Sequence, residues 1–310
     1  MSETTQAVVD DGIDKIDPHH HIWDLQRNYH PWLIDPNPPR RVYGDSTPLR
    51  HDYLIGDYLA DAANQRIVKS VYLQCGWDPS DPVAETRYVQ EVSDAHPQGF
   101  PHAVVAHADL DADDVETLLK GHCQFPLMRG VRMLLNWHET PHYRWSARPD
   151  YMSDPKWLRG YELLGKYGLS FDCQLYPHQM PEAAAVAARF PEVPMIVNHT
   201  GMPVDRDAAG VQRWRDGMTA LASHRHVAVK ISGLGMVDHH WTEESIRPFV
   251  RDTIEIFGAD RTMFASNFPV DKLKGSFDRH YEAFKSIVGD LPLADRRKLF
   301  HDTAQRVYRL

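Results

Sequence analysis

The chain has 310 residues, 42% of them hydrophobic and 25% charged, with a formal net charge of −9. This is enough chain for one large core. The negative balance argues against nucleic-acid binding, and no apolar run reaches the length of a membrane span.

Residues 1–14, MSETTQAVVDDGID, are polar and acidic. They lack the positive start and apolar stretch of a secretion signal and read as a flexible tail before a domain spanning 15–310. Three cysteines (Cys75, Cys123, Cys173) cannot all pair and lack zinc-finger spacing, so a cytoplasmic setting fits.

Short apolar runs then alternate with longer amphipathic ones. Strands are expected at Lys15–His21, Ser70–Gln74, His102–Ala106, Gly130–Leu134, Ser170–Leu175, Met195–His199, Val227–Ile231 and Thr262–Ser266. Helices are expected at Tyr53–Asn64, Ala84–Ala95, Asp113–Gly121, Pro155–Tyr167, Pro181–Phe190, Gly210–Ser223, Glu243–Phe257 and Phe277–Val288, with an extra C-terminal helix at Leu293–Tyr308. Eight β-α pairs predict a parallel sheet closed into a single (β/α)8 TIM barrel. Two long connections, Ile22–Asp52 and Asn136–Asp154, are rich in aromatic and basic residues. They read as lids over the active-site face, or as subunit contacts in a homo-oligomer.

The chemistry of such a barrel sits at the C-terminal ends of its strands. Strand one ends in Asp17-Pro18-His19-His20-His21. Alternation along an extended chain puts His19 and His21 on one face and His20 on the other. Further strand ends carry Gln74, His107 near Asp109, Arg132, Tyr176, His199, Lys230, and then Ser266, Asn267 and Asp271. A barrel that only packs would place apolar residues there. Arg132 suits an anionic group through bidentate contacts, or an internal ion pair. Lys230 either binds an anion or reaches a loop carboxylate. Gln74 and Tyr176 are candidate substrate contacts or structural groups. Trp137 and His138, with Trp32, Tyr143 and Trp145, are candidate substrate-covering residues of the loops.

The ordered set Asp17-x-His19-x-His21-x-Trp23-Asp24, Gly130-Val131-Arg132, Asn198-His199-Thr200-Gly201, Lys230-Ile231-Ser232-Gly233-Leu234 and Thr303-Ala304-Gln305-Arg306-Val307-Tyr308 resembles the amidohydrolase superfamily. More closely, it resembles the amidohydrolase-related branch, which includes L-fuconolactonase, 4-sulfomuconolactonase and 2-pyrone-4,6-dicarboxylate lactonase. The resemblance runs from Ile16 to Leu310 and implies a hydrolase that opens a small anionic or sugar-derived lactone. It implies that His19, His21 and His199 polarise the carbonyl, directly or by holding one divalent metal, zinc or manganese. A carboxylate after strand eight would activate water. Here Ser266-Asn267-Phe268-Pro269 has an amide at that place, which has no useful pKa. The base is then expected to be Asp271 or an imidazole. Two rivals stand beside this reading: a metal-dependent decarboxylase of an aromatic acid, and a small-molecule binder without turnover.

Overall fold

The computed structural model describes residues 11–38 and 40–310. Of the expected tail, residues 1–10 lie outside the described residues. From Asp11 on the chain is packed: Ile13 is buried, and Asp11 accepts from Lys15 Nζ at 2.7 Å.

Eight strands, β1 (Lys15–His20), β2 (Ile67–Leu73), β3 (Ala103–His107), β4 (Met128–Leu134), β5 (Ser170–Gln174), β6 (Met195–Val197), β7 (Val227–Ile231) and β8 (Thr262–Phe264), pair in parallel in chain order. A parallel bridge between His20 and Phe268 joins β1 to the segment after β8. There Asn267 N–H donates to His19 O and His21 N–H to Phe268 O, both at 2.8 Å. The barrel is thereby closed beside the paired histidines.

Each strand is followed by a helix: α1 (Ile55–Asp61), α2 (Pro82–Ala95), α3 (Val115–His122), α4 (Pro155–Lys166), α5 (Met180–Arg189), α6 (Ala208–Ala222), α7 (Glu243–Phe257) and α8 (Phe277–Ile287). Asp81, Asp154, Asp207, Thr242 and Ser276 cap their helices with side-chain oxygens, which fixes where α2, α4, α6, α7 and α8 begin. This is the (β/α)8 barrel that the alternation predicts.

The differences are local. The last helix is not continuous. It runs over Leu293–Arg297, opens into a π turn at Lys298–Asp302 and resumes at Thr303–Val307. The π turn carries Leu299 and Phe300, both buried. The chain then ends under the barrel, where Tyr308 packs with Ile16, Val71, Leu73, Val105, Ile196, Ala228 and Met263. β6 and β8 stop short of His199 and Ser266. His199, Thr200 and Asn267 adopt φ values of 54°, 56° and 57°, which no strand contains. Non-glycine residues hold such φ values only when their surroundings fix them, and these residues cluster at one end of the barrel.

Candidate active site

A cavity of about 240 Å³ opens at the C-terminal ends of the strands. Strand ends supply His21, Gln74, Arg132, Gln174, His199 and Asn267 to its wall. The two long loops cover it, as their aromatic content predicts. The β1–α1 loop contributes Trp32, Arg41 and Tyr43, and the β4–α4 loop contributes Trp145. The loops hold each other: the Arg41 guanidinium lies 4.9 Å from the Trp145 ring centre and donates to Arg144 O.

Arg132 is buried at 4% exposure, and it meets only neutral acceptors. Nη1 faces His19 Nε2 at 3.3 Å and Gln174 Oε1 at 3.2 Å, while Nη2 donates to Gln74 O. A guanidinium has five N–H donors, and the buried Nε–H has no partner. No Asp or Glu lines this cavity among the described residues. Its wall is therefore positive in a negatively charged chain.

The histidines are brought together. Ring centres of His19 and His199 are 4.5 Å apart, and those of His19 and His21 are 5.1 Å apart. Burial, reinforced by the neighbouring cations, pushes all three well below the usual imidazole range, so each is neutral at pH 7. Their hydrogen bonds then set the tautomers. His21 Nδ1 is 2.7 Å from Leu73 O, which can only accept, so Nδ1 carries the proton and Nε2 the lone pair; the Asn267 side chain also hydrogen-bonds this ring. His199 Nδ1 meets Ser232 Oγ at 3.0 Å. His19 Nε2 faces a donor-only guanidinium, so its lone pair is already used, and its Nδ1 is buried without a partner.

That arrangement does not fit the expected metal set of His19, His21 and His199. No three His, Cys, Asp or Glu side chains among the described residues are grouped to hold an ion. The physical reason is Arg132. It takes the His19 lone pair and puts a permanent positive charge beside the remaining nitrogens, where zinc needs three or four donors. Asn267 also offers a neutral amide in place of a carboxylate.

Other expected site residues fall elsewhere. Asp271 is 2% exposed and not in the cavity wall. Its oxygens accept from Gly233 N–H at 2.9 Å and Asn267 Nδ2 at 3.3 Å. It ties the end of β7 at Gly233 to the segment of Asn267 and lies outside the cavity wall. Lys230 is fully buried in an ion pair with Asp172 at 2.6 Å, below the cavity, with Tyr308 OH on the same carboxylate at 2.9 Å. Tyr176 donates to Tyr143 O at 2.7 Å and stands behind the loop. Trp137 lies under the Arg144 guanidinium and His138 against Tyr143, so both shape the loop from outside the cavity. Arg41, Tyr43, Cys75 and Met236 also line the wall, although the sequence did not single them out as site residues. The Arg-rich composition of 22–52 is the one signal that pointed to Arg41.

Gly233 explains how His199 reaches its place. A Cβ there would stand 2.7 Å from His199 Cγ and Nδ1, and its φ of +65° also favours glycine.

Comparison with known proteins agrees with this architecture. The amidohydrolase family model matches residues 16–310. An uncharacterised protein, y4mH, of Sinorhizobium fredii is 47% identical, with 95% of this chain and 98% of that protein covered. An L-fucono-1,5-lactonase of Burkholderia ambifaria is 28% identical, covering 85% and 83%. A crystal structure of an amidohydrolase from Burkholderia multivorans with bound zinc superposes with a TM-score of 0.79 at 24% identity, covering 96% and 99%. Among the described residues no helix is long and apolar enough to cross a membrane.

Proposed function

Because the chain belongs to the amidohydrolase family, we propose that it opens a small sugar-derived lactone by attack of water on the ring carbonyl. The observation that carries this is Arg132, a buried guanidinium with an unspent N–H and no carboxylate partner among the described residues, in the same cavity wall as His21 and His199. L-fucono-1,5-lactonases are among the relatives, which supports a hydroxylated cyclic ester as substrate.

The roles follow from donor and acceptor chemistry. Arg132 donates to the carbonyl oxygen and stabilises the negative charge that forms there on attack. His21 Nε2 is the acceptor that takes a proton from the attacking water. It does the work that a carboxylate at Asn267 would do. The new C–O bond forms, the ring C–O bond breaks, and the departing ring oxygen takes the proton that His21 accepted from water, while neutral His199, oriented by Ser232, donates a hydrogen bond to that oxygen from Nε2. His21 is thereby returned to its neutral form, and the new carboxyl group loses its proton to solvent. His19 keeps Arg132 in place. The donor set does not suit a divalent cation, and no step needs one.

Continuous titration of acid release on a panel of aldonolactones tests the reading. Hydrolysis that Arg132→Lys lowers about a hundredfold is the expected result, on the scale of losing one oxyanion donor. No turnover of any lactone would sink it.

A second reading, a lactone with a free carboxylate, is favoured by Arg41, which reaches the cavity wall and pairs with no acid among the described residues. Arg41→Gln would then raise KM for the carboxylated substrate alone.

A further inference from the structure

A second cavity of about 210 Å³ adjoins the first. The two share Gln74, Gly76, Leu134 and Trp145, which form their common edge. At Gly76 the Trp32 indole packs where a side chain would stand, 3.0 Å from an added Cβ.

The wall of this second cavity has a definite chemistry. Glu85, in the first turn of α2, is 1% exposed. Its Oε1 accepts from Cys75 N–H and Tyr72 O–H, both at 2.8 Å. Its Oε2 is buried and has no partner among the described residues. A buried carboxylate oxygen without a donor is costly and calls for one. At the rim His107 Nε2 pairs with Asp109 Oδ1 at 3.3 Å. Trp77, Trp145 and Tyr151 supply aromatic surface. Aromatic faces next to fixed hydrogen-bond acceptors suit a ring with apolar C–H faces and donating hydroxyls at its edge, as in a sugar. An organic cation is a poorer fit, because His107 already pairs with Asp109 and acts electrostatically on Glu85.

We propose that this cavity is a subsite for a further sugar ring. The substrate class is then the lactone of a disaccharide aldonic acid. The lactone ring occupies the cavity of Arg132 and His21, and the non-reacting ring lies beyond Gly76 with a hydroxyl on Glu85 Oε2. This rests on the lactonase reading above and narrows it.

The test compares two lactones with the same reacting ring, one a hexonolactone and the other bearing a second hexose. The wild-type chain is expected to favour the disaccharide lactone by about tenfold in kcat/KM, the scale on which one subsite contact discriminates. Ala147→Phe, on an exposed loop position in the outer wall of the second cavity, should bring the ratio close to one. Glu85→Gln keeps an acceptor for Cys75 and Tyr72, puts an amide NH2 in place of Oε2, and should lower the ratio in the same direction. A wild-type ratio near one, or a ratio unmoved in both variants, overturns the subsite while leaving the lactonase reading intact. If neither lactone is opened, that reading fails alone. Calorimetry with the open-chain disaccharide aldonate then decides the subsite: binding weakened about tenfold by Ala147→Phe supports it, and equal or absent binding overturns it.

Discussion

His19 Nε2 lies 3.3 Å from Arg132 Nη1. Because a guanidinium can only donate, this contact settles two things at once. The His19 lone pair serves the protein, and Arg132 is aimed by a neutral group that leaves its charge uncompensated. The same cation discourages a metal ion beside it.

The first prediction concerns metal. Lactone hydrolysis should persist unchanged after exhaustive chelation, and elemental analysis of the active protein should find well under one zinc or manganese per chain. Activity lost on chelation and restored by zinc would show that Arg132 moves aside and the three histidines bind an ion.

The second separates the candidate bases. His21→Asn should lower kcat about a hundredfold or more, the lower range for a positioned general base. Asp271→Asn should act mainly through stability, because its carboxylate holds Gly233 N–H and Asn267 rather than substrate. It should lower the unfolding midpoint while kcat in the folded fraction falls less than for His21→Asn. The reverse order would return the base to Asp271.

The third uses Gly233. An added methyl group would meet the His199 ring at 2.7 Å in a backbone conformation that side chains rarely adopt. Gly233→Ala should destabilise the fold by about 1 kcal/mol or more and lower kcat by at least about tenfold, by displacing the group that hydrogen-bonds the leaving oxygen. Normal kcat would remove His199 from that role.

The fourth is a stability profile. Burial holds His30, His122 and His280 at about 4, below the usual imidazole value of 6.5. Between these values the unfolded chain binds protons that the folded chain refuses, so their contribution is complete above 6.5 and is lost as pH falls toward 4. Burial raises Asp17 to about 6 and Asp271 to about 7, from 3.8, which acts in the opposite direction over part of the same window. His20, held at about 3, adds to the larger side. The urea midpoint should therefore fall between pH 7 and pH 4.5. A midpoint that rises would mean that the two carboxylates outweigh the imidazoles.

The sequence by itself determined the barrel and the strand ends that carry its chemistry. Strand and helix periods are local properties, so alternating runs such as Val227–Ile231 and Glu243–Phe257 were legible without knowing any contact. The pair His19 and His21 was legible for the same reason, since alternation alone puts both on one face. What those groups do was decided by the tertiary structure. Lys230 on β7 and Arg132 on β4 are both buried cations of the barrel, yet Asp172 pairs with the first and no carboxylate among the described residues pairs with the second. The proton on His21 is set by Leu73 O, fifty-two residues away, and Arg41 reaches the cavity only because two distant loops meet at Trp145. Hydrogen-bond partners, charge compensation and burial depend on contacts that chain spacing does not encode. A pattern of residue types therefore predicts where a site lies, while the roles within it follow from the folded geometry.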